Sequence, residues 1–104
     1  MLVAISISPS GAPFEGAAAA DGGVSDAVAA AVQVVRDSGL PHELNAMFTN
    51  IEGEWDEVMA VVKQCVDVVA ARYPRVGLVL KADVRPGYDG QLAAKVERVQ
   101  ERLS

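Results

Sequence analysis

The chain has 104 residues and a formal net charge of −5, enough for one domain with a modest core. It is too acidic to present the cationic surface that a nucleic-acid backbone requires. Cys65 is the only cysteine, which excludes an intramolecular disulfide and a Cys-x-x-Cys metal or redox motif. Hydrophobic residues make up 51% of the chain, but many are alanine, and aromatics make up only 5%. That balance suits closely packed helices on a sheet, with part of the core completed by another copy.

Residues 2–8 alternate. Val3, Ile5 and Ile7 fall on one side, and Ala4, Ser6 and Ser8 on the other. Period two with β-branched residues predicts a strand with an apolar side and a small, semi-polar side. The apolar start lacks a basic stretch and the length of a signal or membrane-crossing segment, so a cytoplasmic protein without a membrane partner is expected. Residues 9–24 are rich in glycine, alanine and proline and have no periodicity. They predict a long flexible loop, either surface slack or a lid, with Phe14 as the side chain able to anchor a closed form.

Ser25 is a suitable N-cap for a helix over residues 25–38. Val28, Val32 and Val35, with Ala31 between, form its apolar stripe, and its alanine-rich back faces solvent or a neighbour. Gly39 and Pro41 stop it. Residues 42–46 and 48–53 predict two short strands. Gly53 breaks the second, and Glu54, Asp56 and Glu57 load the next helix with negative charge in its first turn. Trp55, Val58, Met59, Val62, Cys65, Val66, Val69 and Tyr73 recur at three- and four-residue steps up to Pro74. With Trp55 placed in the core, its truncation to alanine is expected to cost about 3–5 kcal/mol.

Residues 75–84 predict a strand with Val76, Leu78, Leu80 and Ala82 on one side and Gly77, Val79, Lys81 and Asp83 on the other. Turn signals at Pro86-Gly87 and Asp89-Gly90 precede a short amphipathic helix carrying Leu92, Val96, Val99 and Leu103. The order is the split βαβ arrangement: a single α+β, ferredoxin-like βαββαβ domain over residues 1–104. It predicts a four-stranded antiparallel sheet, strands one and three central, two helices on one face plus the short C-terminal helix. The opposite face, apolar around Met47 and Val79, calls for self-association.

Catalytic signals are weak. His42 has no cysteine beside it and reads as a surface histidine at a strand start. Cys65 lies on a packed helix face, where a thiol behaves as a small hydrophobe. The glycines of the first loop match no phosphate-binding pattern, and no aromatic pair stands on strands one and three to stack RNA bases. No catalytic residue, metal ligand or required cofactor is expected.

Two constellations remain. Glu43, Asn45, Met47 and Thr49 share one sheet side if the strands run straight through, and a hairpin turn or bulge would break that parity. Asparagine offers paired donor and acceptor to an aminopyrimidine edge, a carboxylate accepts from its exocyclic amine, methionine packs on the ring, and threonine completes the hydrogen bonding. The same residues also serve as cross-strand pairs in an interface. Lys81, Asp83 and Arg85 form the second set, read as a salt-bridge cluster across subunits or as an anion site.

The ordered pieces Ser38-Gly39-Leu40, Glu43-Leu44-Asn45, Met47, Thr49-x-Ile51-Glu52-Gly53 and Asp56-Glu57-Val58 resemble the thiamine-binding, YkoF-like family of small ferredoxin-like proteins. Arg75-Val76, Lys81-x-Asp83-x-Arg85 and Lys95-Val96-x-x-Val99 continue the match, so the resemblance spans roughly residues 24–103. It implies a homo-oligomer, a dimer of dimers associating through sheet faces, that binds thiamine or its hydroxymethylpyrimidine half, and membership establishes no catalytic activity. The ligand-binding residues it implies are Asn45, Met47 and Thr49, with Glu43 and Ser8 as neighbours. Where the family usually has Pro-Met-Gly-Thr, this chain has Ala46-Met47-Phe48-Thr49, and Phe48 either stacks on the ring or blocks the pocket. Pro9-Ser10-Gly11 replaces Pro-Leu-Gly and is followed by an insertion. A regulatory or structural homo-oligomer without its own ligand is the alternative. An enzyme of the dimeric ferredoxin-like barrel type has Glu43 as its one candidate polar group.

Overall fold

Period-two patterning builds the centre of the sheet. In the structure, a computed structural model that describes residues 1–14 and 24–103, β1 (Leu2–Ser10) pairs antiparallel with β3 (Thr49–Glu52) on one side and β4 (Arg75–Asp83) on the other. β2 (His42–Leu44) pairs with β3, giving the order β2-β3-β1-β4. The helices are α1 (Val24–Asp37), α2 (Trp55–Ala70) and α3 (Gln91–Leu103). This is the ferredoxin-like arrangement expected, with β1 and β3 central. The first strand runs two residues further than expected, because Pro9 and Ser10 still pair with Val76 and Arg75. The expected lid falls on residues 15–23, outside the described residues, as does the side chain of Ser25. Phe14 is half exposed, and its amide donates to the Arg72 carbonyl at 2.8 Å.

The core lies between α1, α2 and the Val3–Ile5 face of the sheet. Val3 and Ile51, paired across the central strands, are fully enclosed. Val58, Val61, Val62, Cys65 and Val69 form the buried stripe of α2. On α1 the buried positions are Ala27, Ala31 and Val35. This corrects the expected stripe: Val28 is exposed and Val32 half-buried, whereas two of the alanines face inward. Small side chains let the two helices approach closely, and the Cys65 thiol reaches the Ala31 carbonyl at 3.4 Å. Each enclosed Val or Ile contributes roughly 1.5–3 kcal/mol of transfer free energy.

Local chemistry sets the helix ends. Gly39, at φ +77°, takes the left-handed conformation that ends α1, and the Ser38 hydroxyl donates to the Val35 carbonyl. Glu54 opens α2 in a capping box, its amide donating to the Glu57 carboxylate at 3.2 Å. Trp55 is a second correction. It continues the periodicity of α2, but in the first turn it lies outside the core, and the residue is 55% exposed. At the far end of β1, Gly11 has φ +86°, and a Cβ there would lie 2.6 Å from the Pro74 ring.

The opposite face of the sheet carries α3, the expected C-terminal helix, thirteen residues long. Its anchor is Glu52. This buried carboxylate accepts from the Gln91 amide at 2.7 Å and the Leu92 amide at 3.4 Å, satisfying two of the donors that a helix N-terminus leaves open. Lys95 then pairs with Asp83. The expected intersubunit cluster is therefore led by a contact within the chain, while Arg85 stacks on the Tyr88 ring at 3.6 Å. Beyond Lys95 the apolar positions of α3 are left open, from Val96 at 49% exposed to Leu103 at 79%. Among the described residues, no helix is long and apolar enough to cross a membrane.

Three measurements check this account. Glu52→Ala should destabilise the protein by about 1–2 kcal/mol and increase amide exchange in α3, whereas Glu52→Gln, which keeps an acceptor, should do less of both. Trp55→Ala should cost about 1 kcal/mol or less by denaturant unfolding, well short of the cost of emptying a core site. Lys95, helped by Arg85 and Lys81, holds the Asp83 carboxyl below the ordinary carboxylate range. The stabilisation this gives is complete above the unfolded value and lost as pH falls through the folded one. Carboxyl-carbon NMR should show Asp83 titrating low in the wild type and returning upward in Lys95→Met.

Candidate ligand-binding site

The candidate site is a cleft of about 220 Å³ on the helix side of the sheet, between α1 and the β2–β3 hairpin. Its floor is Ile5 and Ile7 of β1, its outer wall is Val28 and Val32 of α1, and its rim is the hairpin turn. The volume is below the roughly 300 Å³ at which whole small-molecule sites begin, and leaves room for one ring. No ionised side chain lines it among the described residues.

The hairpin explains which expected residues come together. Leu44 pairs with Thr49 and Glu43 with Asn50, while Thr49 also faces Ile5. Thr49 therefore points to the helix side, where it is 9% exposed, and Glu43 points to the bare side. The four-residue turn from Asn45 to Phe48 breaks the parity that would have aligned Glu43, Asn45, Met47 and Thr49. Ser8, opposite Gly77, also faces away from the cleft. Asn45, Met47, Phe48 and Thr49 border the cleft, and Glu43 and Ser8 do not. Met47 stands at the turn, 73% exposed, so the apolar character expected around it on the bare face reduces to Val79.

Asn45 organises the turn. Its amide donates to the Phe48 carbonyl at 3.0 Å, and its side-chain oxygen accepts from the Met47 and Phe48 amides, each at 2.9 Å. Both lone pairs of that oxygen are thus engaged, and the side chain presents its NH₂ group as a pure donor. Phe48, half-buried, forms a wall of the cleft and leaves its volume open. A wider groove of about 390 Å³ lies between the end of α1 and α2, but its Asp37 carboxylate is already held by Gln33 at 2.8 Å.

Of the remaining reactive types, His42 stands outside the cleft and Cys65 lies at its buried bottom. His42 is exposed, with Nδ1 2.9 Å from the Leu40 carbonyl. Cys65 is sealed between the helices, and burial pushes its thiol up to about 11, so it is not a thiolate at neutral pH. Among the described residues no group of three or more His, Cys, Asp or Glu is arranged to hold a metal. Sequence reasoning missed Val28, Val32 and Leu44 as lining residues. The available signal was a stripe on α1 too wide for one helix neighbour to cover.

Comparison with known proteins adds the family. The sequence profile described as thiamine-binding protein matches residues 3–100. A UPF0045 protein of Mycobacterium bovis is 48% identical over 104 residues, which span 99% of this chain and 94% of that protein. A Bacillus cereus structure, a DUF77 domain of unknown function, is 30% identical with a TM-score of 0.75, covering 93% of this chain and 86% of its own. A Methanocaldococcus jannascii structure is also 30% identical, with a TM-score of 0.77 over 96% of this chain and 95% of its own. With the match running from the first strand into α3 and the sheet order in place, this chain belongs to the thiamine-binding protein family.

Proposed function

We propose that this chain is a non-enzymatic, cytoplasmic homo-oligomer that binds thiamine or its hydroxymethylpyrimidine half, with the pyrimidine in the cleft beside the hairpin turn. The observation that carries the reading is the pairing of a cleft with apolar walls, and no ionised side chain among its described lining, with one oriented donor, the Asn45 NH₂. A neutral aminopyrimidine needs apolar walls for its faces, a donor for a ring nitrogen and an acceptor for its exocyclic amine. Val32 and Phe48 supply walls, Asn45 the donor, and the Thr49 hydroxyl an acceptor. The cationic thiazolium lies at the mouth, favoured by the net charge of −5. Glu43 is not part of this reading, because its carboxylate is on the other side of the sheet.

A second reading, an oligomer without a small ligand, draws support from the exposed apolar positions of α3. Titration calorimetry separates the two. The hydroxymethylpyrimidine half and thiamine should both release or absorb heat, whereas the thiazole half alone should not. Silence from all three at millimolar concentration favours the second reading.

Asn45→Asp is the decisive variant. A carboxylate accepts the same two turn amides but cannot donate, so the melting temperature should hold while affinity falls about tenfold or more. Asn45→Ala removes both functions and should lose stability as well as binding.

A further inference from the structure

Phe48 is held in place by a turn that makes no use of its side chain. Its amide donates to the Asn45 side-chain oxygen at 2.9 Å, and its carbonyl accepts from the Asn45 amide at 3.0 Å. The side chain is half-buried, yet among the described residues it belongs neither to the buried core nor to the half-buried residues packed on that core. It borders the cleft instead, at the rim formed by the hairpin turn. The core does not need its bulk, and the cleft is limited by it.

We infer that Phe48 sets the ring size the cleft accepts: one six-membered ring enters, and fused two-ring bases of the purine type are shut out. The inference rests on the ligand reading above and adds a selectivity that hydrogen bonding cannot supply. A ring nitrogen and the exocyclic amine of adenine present the same acceptor and donor as those of a 4-aminopyrimidine, so the Asn45 NH₂ and the Thr49 hydroxyl read the two alike. Shape has to separate them. The fused ring of adenine is coplanar and rigid and must lodge within the walls, whereas the methylene substituent of the pyrimidine rotates toward the mouth. The other walls do not give way. Ile5 is buried on a central strand, and Val28 and Val32 project from a helix whose Ala27 and Ala31 are fixed in the core. The hairpin side of the cleft, which holds about 220 Å³ in all, is where Phe48 stands. Removing that side chain leaves the three hydrogen bonds of the turn in place, because they use only backbone groups and the Asn45 side chain, and it opens the slot on that side.

Calorimetric titration of the full chain with the hydroxymethylpyrimidine and with adenine tests this. The wild type should prefer the pyrimidine by about tenfold or more. Phe48→Gly should bring the two affinities within about threefold of each other at an unchanged melting temperature. Phe48→Leu, bulky but not aromatic, should keep the rejection of adenine. Three outcomes overturn the inference and leave the ligand reading standing: equal affinities in the wild type, a folded Phe48→Gly that still rejects adenine, or a Phe48→Leu that admits it as readily as Phe48→Gly. If Phe48→Gly melts early, Phe48→Ala takes its place with the same expected results. A wild type that gives no heat with the pyrimidine overturns the ligand reading itself, and this inference with it.

Discussion

The close approach of α1 to α2 shapes the rest of the molecule. Ala27 and Ala31 turn toward the core, and the Cys65 thiol meets the Ala31 carbonyl, so the two helices are drawn together on the Val3–Ile5 face. Larger residues at those positions would hold the axes apart and let the valines of α1 settle onto the sheet. Instead Val28 and Val32 are turned toward the hairpin, and β2 is too short to close the space in front of them. The cleft is thus a consequence of helix packing, and its apolar wall comes from residues that tighter packing leaves over.

The hairpin turn gives that cleft its polarity. An asparagine side chain can stand in for a backbone carbonyl in a tight reversal, and Asn45 does so for two amides at once. The acceptor is consumed by the fold, and the donor is held in a fixed direction. A group used this way is pre-organised, since the turn has already restricted its rotamers before any ligand arrives. The same turn separates Glu43 from Thr49, so among the described residues no ionised side chain lines the cleft.

A ferredoxin-like sheet with both packing helices on one side leaves its other face and its long edge to be satisfied by other means. Part of the answer is internal: Glu52, at the end of a central strand, anchors α3 on the bare face through the helix's first amides. Only the start of α3 is secured, and its later apolar residues remain open. The nine-residue edge of β4 is likewise unguarded in its middle. Both features leave apolar side chains and strand-edge backbone groups open in the single chain.

The order of strands and helices, the central place of β1 and β3 and the family resemblance were legible in the sequence, because periodicities of two and of three to four report directly on strands and helices. Gly39, Pro41 and Gly53 marked the breaks for the same local reason. The identity of the buried α1 face was not legible. Alanine and valine stripes run side by side there, and only the distance between α1 and α2 selects between them. Trp55 was misplaced because a periodic pattern does not reveal where its packing partner ends. Nor could the sequence show that Glu43 and Thr49 part company, that Asn45 spends its acceptor on the turn, or that Glu52 caps a helix some forty positions away. Those outcomes depend on strand register and on contacts between distant segments, which tertiary structure alone determines.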